Sequence, residues 1–207
     1  MLSIHELPDL QDYGSILHKM RNFTLQRTQG SPDEIWLLEH HPVFTQGQAG
    51  KAEHLISPGD IPVVQSDRGG QVTYHGPGQL IIYTLFDLPR KKSTLRPFTL
   101  ALQNSIIDLL KQYGISGHCQ TGAPGIYVAN AKICSIGLRV RHGCTYHGMS
   151  LNVKMDLSPF QRINPCGFPK LKMTQIFEFI PEITRAQVTA DLLPLLTQQL
   201  SHLEKSA

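Results

Sequence analysis

The fold of this chain is decided by the stretch Arg68-Gly-Gly-Gln-Val-Thr-Tyr-His-Gly-Pro-Gly-Gln-Leu-Ile-Ile-Tyr-Thr-Leu-Phe86. Apolar runs on either side of Gly76-Pro-Gly78 predict a strand, a turn and a second strand that begins at Leu80. Glycine and proline crowd around polar residues here, which indicates that the backbone comes close to another group. A hairpin with bulges is the alternative interpretation. The side chains that favour a binding site are Arg68, Tyr74 and His75.

The segments on both sides of this stretch add helices and further strands. A helix is predicted from Pro97 to Tyr113, because apolar residues recur at three- and four-residue spacing and a glycine follows. Thr184 is predicted to cap a last helix, which Pro194 should bend or break. The other predicted elements are a helix near 10–27, a strand at 34–38, and a meander of strands at 125–128, 133–140 and 145–153. This order predicts an α+β fold, with mixed β-sheets packed against helices in a single domain, 1–207, and it disfavours a doubly wound nucleotide fold.

The composition excludes several classes of protein. The 207 residues are 41% hydrophobic and 17% charged, as in a packed globular protein. No apolar run reaches the roughly 18–20 residues of a membrane-spanning helix. A formal net charge of +3 is too small and too dispersed to indicate nucleic-acid binding. The acidic first residues do not fit a secretory signal, and the four cysteines are interpreted as reduced thiols, so a cytoplasmic protein is predicted.

Standard cofactor and nucleophile motifs do not fit the sequence. The segment from Gly47 to Lys51 lacks the glycine spacing and the following hydroxyl of a phosphate-binding loop. Gly148-Met-Ser-Leu-Asn152 ends in asparagine, where a serine nucleophile elbow needs glycine. The cysteines show no paired spacing, so no metal site is predicted.

Cys166 is unusual because it lies in a loop between Pro165 and Gly167, outside any apolar run. A thiol with a pKa of ~8.5 ionises at neutral pH only beside a cation, a helix amino terminus or a base. Lys132 lies between a tight turn and an apolar strand, where burial would lower its pKa; the alternative is a solvated hairpin lysine. Sequence separation does not choose among the candidate partners, which are Lys132, His40, His75, His147 and Lys170.

Several motifs between residues 34 and 180 resemble those of the lipoyl (octanoyl) transferase family, in the same order and with ordinary spacings. They are Glu39-His-His-Pro-Val-Phe-Thr-Gln-Gly47, the stretch from Arg68 to Gln79, Ala131-Lys-Ile-Cys-Ser-Ile-Gly137, His147-Gly-Met-Ser-Leu-Asn-Val153, and Leu157-Ser-Pro-Phe160 with Pro165-Cys-Gly167. The resemblance implies a lipoate/biotin protein ligase-like fold.

The resemblance also implies an activity. Such an enzyme moves octanoyl from octanoyl-acyl carrier protein to a lysine of lipoyl domains, the first step of endogenous lipoate synthesis. Because the donor is already a thioester, neither ATP nor another cofactor is implied. The implied acceptors are the lipoyl domains of 2-oxoacid dehydrogenases and the glycine cleavage H protein. Basic groups that could steer the acidic carrier protein are Arg90, Lys91, Lys92, Arg139, Arg141 and Lys170.

The same resemblance assigns roles to residues. Cys166 is implied as the nucleophile and Lys132 as the cation that stabilises its thiolate and moves protons. The acyl and thioester region is implied to include Arg68, Gly69, Gly70, Gln71, Val72, Thr73, Tyr74, His75, Ser135, Ile136, Gly137, Gly148, Met149 and Ser150, with His40 at its edge.

Four positions depart from the usual family pattern, namely Ala123, Cys134, Met149 and Ser150. None of them removes a catalytic group. Ser150 changes the shape or polarity implied for the acyl pocket, and Cys134 is assigned to packing, because a buried unpaired cysteine behaves as a small apolar residue.

Three other functions are weighed against this one. An ATP-dependent lipoate ligase would share the fold but needs no cysteine nucleophile. A noncatalytic module would bind an acyl chain or a carrier protein without turnover. A transferase acting between lipoyl-bearing proteins would share the thiol chemistry and use another donor. Cys166 together with Lys132 favours transfer over ligation.

Overall fold

The computed structural model describes residues 1–204, so the last three residues of the predicted domain lie outside the described part. The helices of the described residues are α1 (Tyr13–Gln26), α2 (Leu95–Gln112) and α3 (Arg185–Ser201). The strands are β1 (Leu2–Gln11), β2 (Asp33–His40), β3 (Val43–Gln46), β4 (Val63–Gln65), β5 (Val72–His75), β6 (Gln79–Leu85), β7 (Gly117–Gln120), β8 (Ala123–Val128), β9 (Ala131–Arg141), β10 (Cys144–Asn152) and β11 (Lys172–Met173).

The strands form a large and a small sheet. The large sheet has the order β1-β2-β6-β10-β9-β8-β7, and β11 pairs with the first residues of β9. The small sheet has the order β4-β3-β5. The predicted meander is confirmed, because β8, β9 and β10 are adjacent and antiparallel. Strand β1 was not predicted; it pairs in parallel with β2 at the edge of the large sheet.

Strand β6 is buried on both faces, which explains its continuous apolar sequence. Leu80 and Ile82 belong to the main core, which α2 and α3 cover. Ile81 and Tyr83 point to the other face and pack in a second core with residues of α1. Since side chains alternate along a strand, one run of sequence serves two cores.

The turn at Gly76-Pro-Gly78 carries the chain from the small sheet to the large one. The hairpin alternative is therefore wrong: β5 pairs with β3, whereas β6 pairs with β2 and β10. Gly78 has a φ of +83°, and a Cβ at this position would lie 1.8 Å from the Lys154 carbonyl oxygen. This is the close backbone approach that the glycine-rich sequence indicated.

Helix α3 begins as predicted but does not break. Thr184 accepts a hydrogen bond from the Gln187 amide, which confirms the N-cap. The helix continues through Pro194 to Ser201, because Leu192, Leu196 and Leu200 hold both halves in the main core. None of the helices within residues 1–204 has the length and apolar character needed to cross a bilayer.

Candidate active site

A half-enclosed cavity of about 190 Å³ lies on the α1 side of the large sheet, between β6, β9, β10 and the segment that begins at Arg68. Most of the predicted site residues meet there. The cavity is lined by Arg68, Gly69, Gly70, Gln71, Thr73, His75, Ser135, Ile136, Gly137, Gly148, Met149, Ser150 and Cys166. Residues more than 90 positions apart in the chain therefore share one surface.

Val72 and Tyr74, also predicted to bind substrate, do not reach this cavity. Their side chains belong to a third core, where the Tyr74 ring lies 5.5 Å from the rings of both Phe44 and Phe160. Alternation along β5 is the reason, because Thr73 and His75 occupy the opposite face. The motif spans both faces of one strand, and only one face lines the cavity.

Cys166 and Lys132 are in contact at one end of the cavity. Lys132 Nζ donates to Cys166 Sγ at 3.0 Å and to the Pro124 carbonyl oxygen at 2.9 Å. Lys132 is fully buried, and its ammonium lies 5.1 Å from the centre of the Tyr127 ring. The solvated hairpin lysine is therefore wrong. Cys166 itself is half-buried and has a φ of 57°, a strained conformation for a residue other than glycine.

The pKa of Lys132 is shifted in the direction opposite to the one predicted. Burial acts to lower it, but electrostatic attraction to Cys166 and the hydrogen bond to its sulfur act in the opposite direction, and the pKa is raised. Lys132 is therefore a stable ammonium beside the Cys166 sulfur.

Gly125, which was not predicted, makes room for the buried lysine. A Cβ there would lie 2.5 Å from the Cys134 carbonyl oxygen and 3.1 Å from Lys132 Cε, and the φ of +135° is one that other residues rarely adopt. The signal in the sequence was a glycine at the start of a predicted strand, and a glycine in a strand often marks a close approach.

The other candidate cations do not bond to Cys166. His75 bonds through Nδ1 to Gln79, His147 through Nε2 to Asp67, and His40 through Nε2 to the Tyr83 hydroxyl. Lys170 is exposed on the protein surface. His40 does not line the cavity, but it is hydrogen-bonded to Tyr83, which does.

Arg68 brings a second positive charge to the cavity wall. Its guanidinium is buried and donates to the Thr45 hydroxyl, the Thr45 carbonyl oxygen and the Gly69 carbonyl oxygen. Burial lowers its pKa, and nearby Tyr13 and the Cys166 thiolate act in the opposite direction. Since its acceptors are neutral, its charge is available to an anionic or strongly polarised group in the cavity.

Two further thiols, Cys134 and Cys119, differ in their exposure. Cys134 is fully buried in the main core and burial raises its pKa to about 12, whereas Cys119 is exposed. Within residues 1–204 no group of three side chains is arranged to hold a metal ion.

Lining residues of the cavity that were not predicted are Tyr13, Ile81, Tyr83, Gly122, Pro124, His147 and Phe168. Only the tertiary fold brings α1 and β6 to the motif residues.

Solved structures define the fold class. Lipoate-protein ligase A bound with ATP superposes with a TM-score of 0.73 at 15% identity, covering 97% of this chain and 85% of that one. A bi-partite lipoate protein ligase from Thermoplasma acidophilum superposes with a TM-score of 0.71 at 13% identity, covering 97% and 83%. Biotin protein ligase from Aquifex aeolicus gives 0.61 at 12% identity, covering 99% and 73%. The predicted lipoate/biotin protein ligase-like fold is confirmed.

The sequence comparisons narrow the class to one family. The model of the lipoyl protein ligase A/B catalytic domain matches residues 16–196. An octanoyltransferase of Yersinia pestis (strain Pestoides F) is 54% identical over 193 residues, which are 93% of this chain and 83% of that protein. An octanoyltransferase of Yersinia pseudotuberculosis serotype O:1b is 53% identical with the same coverage. The chain belongs to the lipoyl protein ligase A/B catalytic domain family.

Proposed function

We propose that this chain transfers octanoyl from octanoyl-acyl carrier protein to a lysine of a lipoyl domain, through a thioester on Cys166. The octanoyltransferase relatives make it an acyltransferase that serves lipoylation. The observation that carries the mechanism is the 3.0 Å contact between Lys132 Nζ and Cys166 Sγ at the end of the cavity.

In the first half-reaction the Cys166 thiolate attacks the carbonyl carbon of the donor thioester. The new carbon–sulfur bond forms as the bond to the carrier's thiol breaks, and the Lys132 ammonium gives that departing thiolate a proton. One thioester replaces another, so the step needs no ATP. Arg68 at the cavity wall supplies positive charge where the carbonyl oxygen becomes negative.

In the second half-reaction the amine of the acceptor lysine attacks the acyl-enzyme. Lys132, now neutral, takes a proton from the attacking amine, the amide bond forms, and Cys166 leaves as the thiolate. The charged pair is restored at the end of the cycle. Amide formation from a thioester runs downhill, which gives the overall transfer its direction.

The proposed acceptors are the lipoyl domains of 2-oxoacid dehydrogenases and the glycine cleavage H protein. The proposed compartment is the cytoplasm, which fits four cysteines that are all free thiols. We also propose that residues 1–207 form one catalytic domain. The ligase structures support only the fold of this chain, because they are 12–15% identical to it. The reaction of those ligases is therefore not part of this proposal.

The test is intact-protein mass spectrometry after mixing the chain with octanoyl-acyl carrier protein without ATP. The wild type should gain one octanoyl group, which hydroxylamine releases and an added lipoyl domain accepts. Cys166→Ser should gain no octanoyl group that hydroxylamine releases as readily as it does from the wild type, because an ester reacts more slowly with hydroxylamine than a thioester does. Modification of the lipoyl domain only with ATP and free octanoate would instead identify a ligase. Binding of the acyl carrier without any transfer would identify a noncatalytic module.

A further inference from the structure

Arg68, whose guanidinium brings positive charge to the cavity wall, is held mainly by a residue outside the cavity. Among residues 1–204, this guanidinium donates four hydrogen bonds, and Thr45 accepts three of them. The Thr45 hydroxyl accepts from Nε at 3.1 Å and from Nη2 at 2.8 Å, and the Thr45 carbonyl oxygen accepts from Nη2 at 2.6 Å. Thr45 itself is not one of the residues that line the cavity.

Strand alternation decides which side of β3 carries Thr45. Phe44 lies in the third core, so Thr45 belongs to the opposite face of the small sheet. Its cross-strand neighbour is Thr73, which lines the cavity. Thr45 is fully buried, and a buried hydroxyl is costly unless it is hydrogen-bonded. Its two contacts with Arg68 supply that compensation.

The contact with Thr45 fixes the orientation of the whole guanidinium. This group is rigid and planar, so holding the edge formed by Nε and Nη2 also directs Nη1. Nη1 donates to the Gly69 carbonyl oxygen at 2.9 Å. A Cβ on Gly70 would lie 3.6 Å from Nη1, and a Cβ on Gly137 would lie 3.8 Å from it. Since these three glycines line the cavity, Nη1 is the end of the guanidinium that lies at the cavity wall.

Gly47 packs against the same nitrogen. A Cβ at this position would lie 2.8 Å from Arg68 Nη1 and 2.3 Å from the Gly70 carbonyl oxygen, so only a glycine leaves room for this packing. Gly47 follows Thr45 by two positions. One short segment therefore both anchors the guanidinium and packs against it.

We propose that Thr45 is a positioning residue for acyl transfer, which holds the Arg68 guanidinium so that Nη1 faces the octanoyl carbonyl oxygen as that oxygen becomes negative. The inference rests on the proposed function and adds a residue outside the cavity. Charge stabilisation of this kind requires a donor that is oriented before the reaction begins. Thr45 therefore acts on the rate of the chemical step, and substrate binding does not depend on it.

Thr45→Val tests the hydroxyl. Valine resembles threonine in shape but accepts no hydrogen bond, so two contacts with Arg68 are lost. We expect kcat, and the single-turnover rate of Cys166 acylation, to fall by about 10-fold, because hydrogen bonds to charged groups are strong. KM for octanoyl-acyl carrier protein should stay within about 2-fold of the wild type. A wild-type kcat, or a change in KM alone, overturns the inference.

Thr45→Ser keeps the hydroxyl and should restore kcat to within about 3-fold of the wild type. Thr189→Val is the matched control, because Thr189 in α3 is also buried and its hydroxyl has no hydrogen-bond partner within residues 1–204. This control should keep the wild-type kcat. A fall in Thr189→Val as large as in Thr45→Val, or a failure of Thr45→Ser to restore kcat, overturns the inference.

Thermal melts show whether Thr45→Val folds, since it leaves part of a buried guanidinium unsatisfied. If it does not fold, Thr45→Cys takes its place, because sulfur is a weak acceptor. Its kcat should fall by about 5-fold, with KM unchanged. A wild-type kcat in a folded Thr45→Cys variant overturns the inference.

Arg68→Met separates positioning from an independent effect of Thr45. No guanidinium remains in this background, so adding Thr45→Val should lower kcat by less than about 2-fold further. If Thr45→Val lowers kcat by the same factor with and without Arg68, Thr45 acts independently of the guanidinium and the inference is wrong.

Wild-type transfer of octanoyl is measured in the same assays to separate this inference from the proposed function. If octanoyl forms no adduct on Cys166 and is not transferred, the proposed function fails. If octanoyl is transferred but Thr45→Val transfers it at the wild-type rate, only the inference about Thr45 fails.

Discussion

Lys132 is fully buried, and no carboxylate among the residues that the structure describes accepts a hydrogen bond from it. The groups that receive its hydrogen bonds are the Cys166 sulfur and the Pro124 carbonyl oxygen. A buried ammonium is costly unless a nearby group compensates it, and electrostatic attraction to Cys166 and the hydrogen bond to its sulfur do so here, because they raise the pKa of Lys132 against the effect of burial. The contact therefore keeps the lysine charged.

Lys132→Met tests the catalytic part of this arrangement. Methionine fills a similar volume but neither donates a proton nor carries charge, so we expect turnover to fall by at least about 100-fold. The thermal midpoint should stay near that of the wild type, because the variant also removes a buried charge. Steady-state transfer assays and thermal melts measure the two quantities. Turnover within 10-fold of the wild type would contradict the role of Lys132 in proton transfer.

Gly125→Ala tests the space that the lysine occupies. The added methyl would meet both the Cys134 carbonyl oxygen and Lys132 Cε, so we expect a stability loss of about 2–4 kcal/mol and a displaced ammonium with reduced turnover. Gly114→Ala is the matched control, because Gly114 has a φ of +70° but nothing within 4 Å of the added methyl. It should lose about 1 kcal/mol from backbone strain and keep full activity. Equal effects of the two substitutions in denaturant melts and transfer assays would refute the packing argument.

At the scale of elements, α3 shows how packing overrides a local preference. A proline inside a helix removes one hydrogen bond and clashes with the preceding turn, yet α3 is continuous across Pro194. The buried leucines on either side of it supply the compensation, and Pro194 itself faces solvent. Pro194 therefore destabilises α3 locally, and replacing it would leave the core packing unchanged.

Pro194→Ala should stabilise the protein. Alanine restores the missing amide and is the best helix former, so we expect the free energy of unfolding to rise by about 1–3 kcal/mol. Urea melts would measure the change, with Gln198→Ala on the same exposed face as a control that should move by less than about 0.5 kcal/mol. A loss of stability in Pro194→Ala would show that the proline is favoured by the surrounding structure.

At the scale of the whole molecule, several histidines are buried between the two sheets and α1. Burial lowers the pKa of His40 to about 4, lowers that of His147, and lowers that of His75 well below its usual value. The native state keeps these rings neutral at pH 7. Each ring acts as a fixed donor and acceptor in the wall of the cavity.

These histidines predict that stability is lost in mild acid. In the unfolded chain each histidine binds a proton near pH 6.5, whereas native His40 does so only near pH 4. The unfolded state therefore holds more protons between those values, and the free energy of unfolding falls as pH decreases from about 6.5 to 4. His40 alone contributes roughly 3 kcal/mol to this loss.

Urea melts between pH 8 and 5 would measure this dependence. His40→Gln should flatten the slope below pH 6.5, and the exposed His18→Gln should leave it as in the wild type. A wild-type stability that is constant over this range would contradict the buried neutral histidines.

The sequence by itself determined the parts that depend on local chemistry. Periodicity and breakers located α2, the start of α3 and the meander from β8 to β10, because these signals act over a few residues. The motifs around Arg68, Lys132 and Cys166 indicated the family, since spacing and residue type are properties of the chain alone.

Only the tertiary structure decided the relations between distant segments. Strand β1 lies at a sheet edge with mixed polarity, so no periodic pattern marks it. The side of β5 on which Val72 and Tyr74 fall depends on which sheet receives the strand. The pKa of Lys132 was predicted to fall because burial was the only influence visible in sequence, and it rises because the fold brings the Cys166 sulfur from 34 residues away to 3.0 Å. Electrostatic and packing energies depend on distance in space, and sequence separation does not contain that distance.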